Sequence, residues 1–449
     1  MQPKKQLSLF DLSMIVVSLV IGMGIFRTPV NVAAKAQIPE LFFLAWIIGG
    51  LVAYCGALIY AEIGSRFPAT GGYYKIFSAC YHPSVAFGIN GIVVVTNAAS
   101  MAGVTLIGSE YLSSVILPTV MQTDTARLMI AAVTILIFYG INMMGLRASA
   151  KVQNILTVIK ITLVLMLISA IFFGGNTEAI APIFKTSSGN LPVWSDYGKA
   201  LGLCLVAVTF SFAGYTQTIN LGGEVKDAKK IIPKGIKIGL LTIISLYLLI
   251  NYAYVNVIGF EQLKTAQSIA SILAGKIFGP AGYTILSAVI FLSVLGYVNV
   301  NLLSNPRAMF AMGEEKALPP VFAQKNKRTD VMVVSLSTFT ALVLITLFFA
   351  QTFDKILNYT IILECIGTAS SAATLFILRK KTAHLDKNTI FTLKWYPLVP
   401  ILFISFFLFV AVSIYQEDPL TVWYGLGIFA IFIFIYFLLK LFNKKEIAK

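Results

Sequence analysis

The stretch Val20-Ile-Gly-Met-Gly-Ile-Phe26 ("VIGMGIF") decides how this chain is read. It lies inside the first long apolar run and sets Gly22 and Gly24 one residue apart, where a membrane helix should be most regular. Glycine costs about 1 kcal/mol relative to alanine inside a helix. Two physical readings account for the pair. The glycines let a neighbouring helix approach closely, as small residues do in membranes. Or the helix is interrupted, and its backbone N–H and C=O groups are free for a ligand. A nucleotide fingerprint is excluded: that motif follows a strand and needs a third glycine where Arg27 stands.

The rest of the chain supplies the context. Of its 449 residues, 58% are hydrophobic and 12% charged. Soluble domains carry about 25% charged and 45–50% apolar residues, so an ordinary water-facing surface is excluded. Apolar runs long enough to cross a bilayer predict twelve spans at 9–34, 40–66, 84–117, 127–146, 152–174, 198–223, 235–258, 278–310, 331–351, 355–378, 395–415 and 420–442. An even number puts both termini on one side. That side holds 25 of the 34 Lys and Arg residues; eight fall on the other, and Lys160 lies within a span. Cytoplasmic loops are the Lys/Arg-rich ones, so both termini are expected in the cytoplasm of a multi-pass cell-membrane protein. The net charge of +15 is then an orientation signal rather than a nucleic-acid footprint. Lys4 and Lys5 precede a run longer than a signal-peptide core, which predicts an uncleaved first span. Cys55, Cys80, Cys204 and Cys365 form no C-x-x-C pair, and His82 and His384 are the only histidines, so neither a metal site nor a cofactor is expected.

The sixth span repeats the anomaly of the first. Thr209–Asn220 reads "TFSFAGYTQTIN": an apolar helix meets Ser211, Ala213 and Gly214, then Thr216, Gln217, Thr218 and Asn220. Polar groups at membrane depth are costly unless they face a partner or a cavity. Spans one and six head two sets of five, 9–174 and 198–378, with two further helices at 395–442. Five is odd, so the second set enters from the opposite side. Interrupted helices at matching positions of two such halves point to a transporter binding site. A broken helix offers free N–H groups at the start of its second half and free C=O groups at the end of its first. The former suit a carboxylate, the latter an ammonium. The pattern therefore predicts an α-amino acid, its carboxylate near Gly22–Gly24 and its amino group near Phe210–Gly214.

At these residues the chain resembles the amino acid–polyamine–organocation superfamily, in its L-type amino acid transporter branch. "GMGIF" is similar to the family's G-S/A/T-G-I-F motif. "AEIGSRFPATGGYY" (61–74), "VQNILTVIK" (152–160), "FSFAGYTQTINLGGEVKDAKKIIPKGI" (210–236) and "NPRAMFAMGEEKALPPVF" (305–322) resemble later family motifs in order. The resemblance implies an all-α fold of the LeuT type, a 5+5 inverted repeat with twelve helices and with spans one and six unwound at mid-membrane. It implies substrate contacts at Val20, Gly22, Met23, Gly24, Phe210, Ser211, Ala213, Gly214 and Tyr215, with Phe210 as an aromatic lid. It also implies that Lys160 stands where sodium-coupled relatives hold their ion. The chain departs from the pattern at Met23, where the family often has Ser, Ala or Thr, and at Tyr215, which replaces a Trp. The loop "LPTVMQTDTAR" carries no cysteine, so no disulfide-linked heavy subunit is expected.

Ionisable residues within spans are functional candidates by default. Lys160 lies about 13 Å into its span at 1.5 Å per residue, deep for a snorkelling lysine. It is expected beside the first break, donating to its carbonyls and reaching Ser293. Glu110 and Glu364 are candidate protonation sites, with an interfacial carboxylate the alternative for Glu110 and a partner for a substrate cation the alternative for Glu364. Glu224 is expected to hold an inner gate against Arg66 or Arg307. The functional expectation is a secondary transporter of neutral L-amino acids, an exchanger or a proton-coupled symporter. Its rival is a carrier of cationic amino acids or polyamines on the same fold. A channel or sensor is the alternative from another class, and an enzyme is excluded by the lack of a metal cluster or activated nucleophile.

Overall fold

The computed structural model describes residues 6–22, 24–169, 171–174, 194–266, 269–349, 353–386 and 388–447. With no water in a bilayer core, each crossing segment must satisfy its own backbone, and the α-helix does so locally. The helices are α1 (Leu9–Val20), α2 (Gly24–Ala36), α3 (Pro39–Arg66), α4 (Gly72–Cys80), α5 (Pro83–Ile116) and α6 (Asp124–Met143). Then come α7 (Leu146–Ile168), α8 (Ile171–Gly174), α9 (Trp194–Phe212), α10 (Ala228–Ile258), α11 (Phe260–Leu263) and α12 (Ile269–Phe278). The last are α13 (Gly282–Ser304), α14 (Pro306–Glu314), α15 (Val333–Phe348), α16 (Phe353–Lys381), α17 (Leu398–Glu417) and α18 (Pro419–Ile447). Among the described residues the only β-pairing is two isolated bridges, Leu7 with Val225 and Thr70 with Leu221.

The protein is an all-α polytopic membrane protein. Among the described residues nine helices are long and apolar enough to cross a bilayer. The pair α1 and α2, bent by 43°, adds a tenth, and shorter apolar helices lie at Tyr197–Thr209 and Val333–Phe348. The predicted 9–34 span is thus two helices rather than one rod. The predicted 198–223 span ends its α-helix at Phe212 and continues as a 3-10 turn over Tyr215–Asn220.

Small residues set the packing around these two interrupted elements. On α10, Gly235 and Gly239 lie one turn apart against Leu12 and Val16 of α1, where a Cβ at Gly239 would stand 2.7 Å from the Val16 Cβ. On α3, Gly56 makes room for the Tyr215 hydroxyl, and Gly64 lies against Ile232 of α10. Without a hydrophobic drive between helices in lipid, such close backbone approach is the main source of cohesion. At the start of α1, Ser8 and Asp11 form a reciprocal capping box, which satisfies orphan N–H donors of its first turn.

Two glycine substitutions separate packing from propensity. Gly239→Leu drives a side chain into Val16 and is expected to cost about 1–3 kcal/mol of overpacking strain. Gly140→Leu on α6, where a Cβ meets nothing within 4 Å, is expected to leave stability unchanged or raise it by up to about 1 kcal/mol through helix propensity. The thermal unfolding midpoint of each variant in detergent checks this.

Candidate functional site

The first break begins where α1 stops. Val20 is its last residue, Ile21 turns out at φ −72° and ψ 90°, and Gly22 donates back to the Val20 carbonyl at 2.8 Å. The next helix starts at Gly24, and Met23 lies outside the described residues. The last carbonyls of α1 lack helical donors, and two side chains supply some. The fully buried Lys160 ammonium donates to Ile21 O at 2.6 Å, Ser18 Oγ at 3.1 Å and Ser18 O at 3.5 Å. The Tyr247 hydroxyl lies 3.2 Å from Val20 O. Ser293 is buried on α13, but the ammonium bonds run to Ser18 and Ile21.

The second break meets the first. After α9 ends at Phe212, Gly214 takes φ +106° and ψ −32°. A Cβ there would stand 2.5 Å from Leu19 O, so both the left-handed backbone and the close approach require glycine. Tyr247 joins the two ends, since the same hydroxyl lies 3.3 Å from Ser211 O. One proton is thereby shared between the last carbonyls of two different helices. On the other side, the start of α2 lies against Ser211: its Oγ would lie 3.3 Å from a Gly24 Cβ. That hydroxyl is buried and has no hydrogen-bond partner among the described residues. Tyr297 of α13 closes the remaining side, with ring carbons 3.6 Å from a Gly22 Cβ.

Val20, Gly22, Gly24, Ser211, Ala213 and Gly214 are therefore gathered at one place, with Lys160 beneath the first break. The Phe210 backbone belongs to α9; its side chain lies outside the described residues. Tyr215 turns toward α3, its ring edge-on to Tyr60 at 5.9 Å. Glu364 lines a partly open pocket bounded by α3, α9, α16 and α17, which Ala213, Gly214 and Thr216 also line. Glu110 is not in this centre. Its side chain is 58% exposed and lies 3.6 Å from Arg127, the interfacial alternative.

At the far end of α9, Arg307 donates from Nε and Nη2 to Glu224 Oε2 at 2.8 and 2.6 Å. Gln6 N and Leu7 N donate to the Glu224 carbonyl, which ties the amino-terminal segment across the same point. Arg66 does not join this pair. Its Nε bonds Glu62 at 2.6 Å and its Nη1 bonds Thr382. Glu62 also receives Arg379 through both oxygens, so Arg66 belongs to a separate buried cluster between α3 and α16.

Sequence reading missed Tyr247, Tyr297, Glu62 and Arg379. A tyrosine in an apolar run carries no signal until its hydroxyl partners are known. Glu62 and Arg66, four apart on one helix, did carry a local one.

The amino acid permease family profile matches residues 7–439. The chain belongs to the amino acid permease family. It is accordingly a membrane transporter and not an enzyme, of the L-type-like branch of the amino acid–polyamine–organocation superfamily. It is 27% identical to the serine/threonine exchanger SteT of Bacillus subtilis over 425 residues, 93% of either chain. It is 26% identical to the large neutral amino acids transporter small subunit 2 of Oryctolagus cuniculus, over 97% of this chain and 80% of that one. To the Asc-type amino acid transporter 1 of Mus musculus it is 23% identical, over 97% and 81%.

Gly214→Ala tests the junction. A positive φ outside glycine costs about 1–3 kcal/mol, and the added methyl meets the Leu19 carbonyl. The expected result is at least a tenfold loss of substrate affinity. Gly198→Ala, where a Cβ meets nothing within 4 Å, is expected to behave as wild type. Substrate-induced thermal stabilisation of the purified variants checks both.

Proposed function

We propose that this permease is a secondary active transporter of neutral L-amino acids, working by alternating access as an exchanger or a proton-coupled symporter. The observation that carries the reading is the junction of two interrupted helices at Gly214 and Leu19 O. There α2 presents N–H groups with the positive end of its dipole, while α1 and α9 end in the carbonyls of Val20 and Ser211. A zwitterion fits between these poles: its carboxylate meets the N–H groups at Gly24 and Met23, with Ser211 Oγ as an added donor. Its ammonium meets Val20 O, Phe210 O, Ser211 O and Ala213 O. The Tyr247 hydroxyl occupies one lone pair on two of these acceptors, and each carbonyl keeps a second. The Phe210 ring is the lid over the bound substrate.

We further propose twelve spans: an inverted pair of five at 9–174 and 198–378, with the breaks at mid-membrane, and two added helices at 395–442. Both termini lie in the cytoplasm of a cell-membrane protein, and the carrier works without a disulfide-linked heavy subunit. On this orientation the Glu224–Arg307 pair closes the inner side and must part for release inward. Lys160 supplies a positive charge at the first break in place of sodium. The relatives named for serine/threonine exchange and for large neutral amino acids support neutral substrates. A second reading, cationic amino acids or polyamines, is favoured by one observation, the place of Glu364 in the cavity beside Gly214.

Reconstitution tests the reading. Uptake of twenty amino acids into proteoliposomes, with and without internal substrate and a pH gradient, is expected to favour neutral ones. Internal substrate should accelerate an exchanger, and an acid exterior should accelerate a symporter. If Lys160 is the proton carrier, Lys160→Ala retains exchange and loses the response to pH. Each charge moved against 100 mV is worth about 2.3 kcal/mol, so a coupled proton is readily seen in accumulation. Absence of uptake of any amino acid contradicts the proposal.

A further inference from the structure

The Glu224–Arg307 pair uses only part of its bonding capacity. Arg307 donates from Nε and Nη2, and both bonds land on one oxygen, Glu224 Oε2. Guanidinium–carboxylate pairs frequently form two parallel bonds to two oxygens. Here Glu224 Oε1 and Arg307 Nη1 have no partner among the described residues. The Glu224 and Arg307 side chains are 7% and 10% exposed. Yet neither unused atom is sealed in the interior, and both residues line a partly open pocket. A free acceptor and a free donor thus stand side by side on one ion pair.

The pocket carries two further charges, Lys325 and Asp330. The Lys325 ammonium lies over the Phe310 ring, 4.7 Å from its centre. It meets no carboxylate among the described residues, and the Asp330 carboxylate meets no donor among them. The start of α7, which has no side-chain cap, also opens here at Gly145 and Leu146. Cationic and anionic side chains therefore balance in one space. Its walls come from both parts that the gate separates. Gln6 and Glu224 belong to the chain that enters α1 and leaves α9, and the other lining residues belong to α6, α7, α13, α14, α15 and the segment before α15. On the proposed orientation the pocket lies on the cytoplasmic side of the two breaks.

Parting a buried ion pair with nothing in its place strands two unlike charges, which is strongly unfavourable. An anion would relieve Arg307 alone, and a cation would relieve Glu224 alone. A zwitterion relieves both. Its carboxylate fits Arg307 and Lys325, its ammonium fits Glu224 and Asp330, and Leu302, Val331 and Met332 give its side chain an apolar wall. We infer that this pocket is a second amino-acid site outside the gate, where the bound zwitterion takes over both halves of the Glu224–Arg307 pair and so opens the way from the cytoplasm to the breaks. The inference rests on the carrier reading and adds to it how substrate is admitted from inside.

Transport measured from each face separately tests it. Inside-out membrane vesicles present the cytoplasmic face of the carrier and intact cells the outer face. The probe is the neutral amino acid that the twenty-member panel identifies. Lys325→Gln and Asp330→Asn are each expected to raise the half-saturating concentration at least fivefold from the cytoplasmic face, with less than a twofold change from the outer face. Lys327→Gln removes an exposed charge from the same loop, outside the pocket lining, and is expected to match the wild type from both faces. No change in Lys325→Gln and Asp330→Asn overturns the site. A rise of similar size from both faces also overturns it, because that marks a shifted gate equilibrium. An equal effect of Lys327→Gln overturns it too, because that marks surface charge alone. If the variants fail to fold, saturation binding to the purified wild-type protein decides. Two amino-acid molecules per carrier are expected, and a single one overturns the second site while the carrier reading stands. Failure of every amino acid to enter from either face overturns the carrier reading itself.

Discussion

A backbone polar group left unpaired in the core of a bilayer costs several kcal/mol, and this protein holds the ends of two interrupted helices against each other, at Leu19 and Gly214. The Leu19 carbonyl lies so close to Gly214 that no Cβ fits between them. Everything near that contact works to keep the ends apart from their own continuations and near one another. Lys160 reaches across from α7 to Ile21 O and Ser18. Tyr247 reaches from α10 to Val20 O and Ser211 O. Between them they supply donors to carbonyls at the ends of both helices.

The supporting helices are built to hold those two side chains steady. Tyr247 is wedged between Trp46, whose ring is edge-on at 5.9 Å, and Phe212, at 5.1 Å. Lys160 stands on a helix pinned by a buried polar ladder. Asn142 bonds Asn299, Asn299 bonds Gln153, and Gln153 bonds Thr157, one turn below the lysine. Fully satisfied buried networks of this kind fix register, and here they lock α6, α7 and α13 together. At the far end, the Glu224–Arg307 pair and the amino-terminal segment bind the α9–α10 connection.

Much of this was legible in the sequence because lipid is a demanding solvent. Helical crossing segments need long apolar runs, so most of the long helices could be read from hydropathy within a few residues, whereas the short α4, α11, α12 and α14 could not. The breaks were legible for the complementary reason: Gly22, Gly24 and Gly214 are poor choices unless a helix is meant to stop. Lys160 was legible as a charge at depth; its ammonium bonds Ser18 and Ile21 at the first break and not the expected Ser293. What was not legible depends on contacts between distant segments. Glu62 takes Arg379, 317 residues away, and the same carboxylate holds Arg66, which sequence reading had offered to the inner gate. Tyr247 looked like any aromatic residue in an apolar helix. Glu110 stood between a protonation site and an interfacial carboxylate, and its exposed side chain beside Arg127 is the latter.

The central claim is that a single guest is held at both of its charged ends by the two interrupted helices. Blocking each end of the substrate in turn tests it most directly. Equilibrium binding to the purified protein is measured for the preferred amino acid, for its methyl ester and for its N-acetyl derivative. If peptide N–H groups at Gly24 hold the carboxylate and the carbonyls of Val20 and Ser211 hold the ammonium, each blocked form binds at least a hundredfold more weakly than the parent. Binding of either blocked form with the parent's affinity would contradict the account.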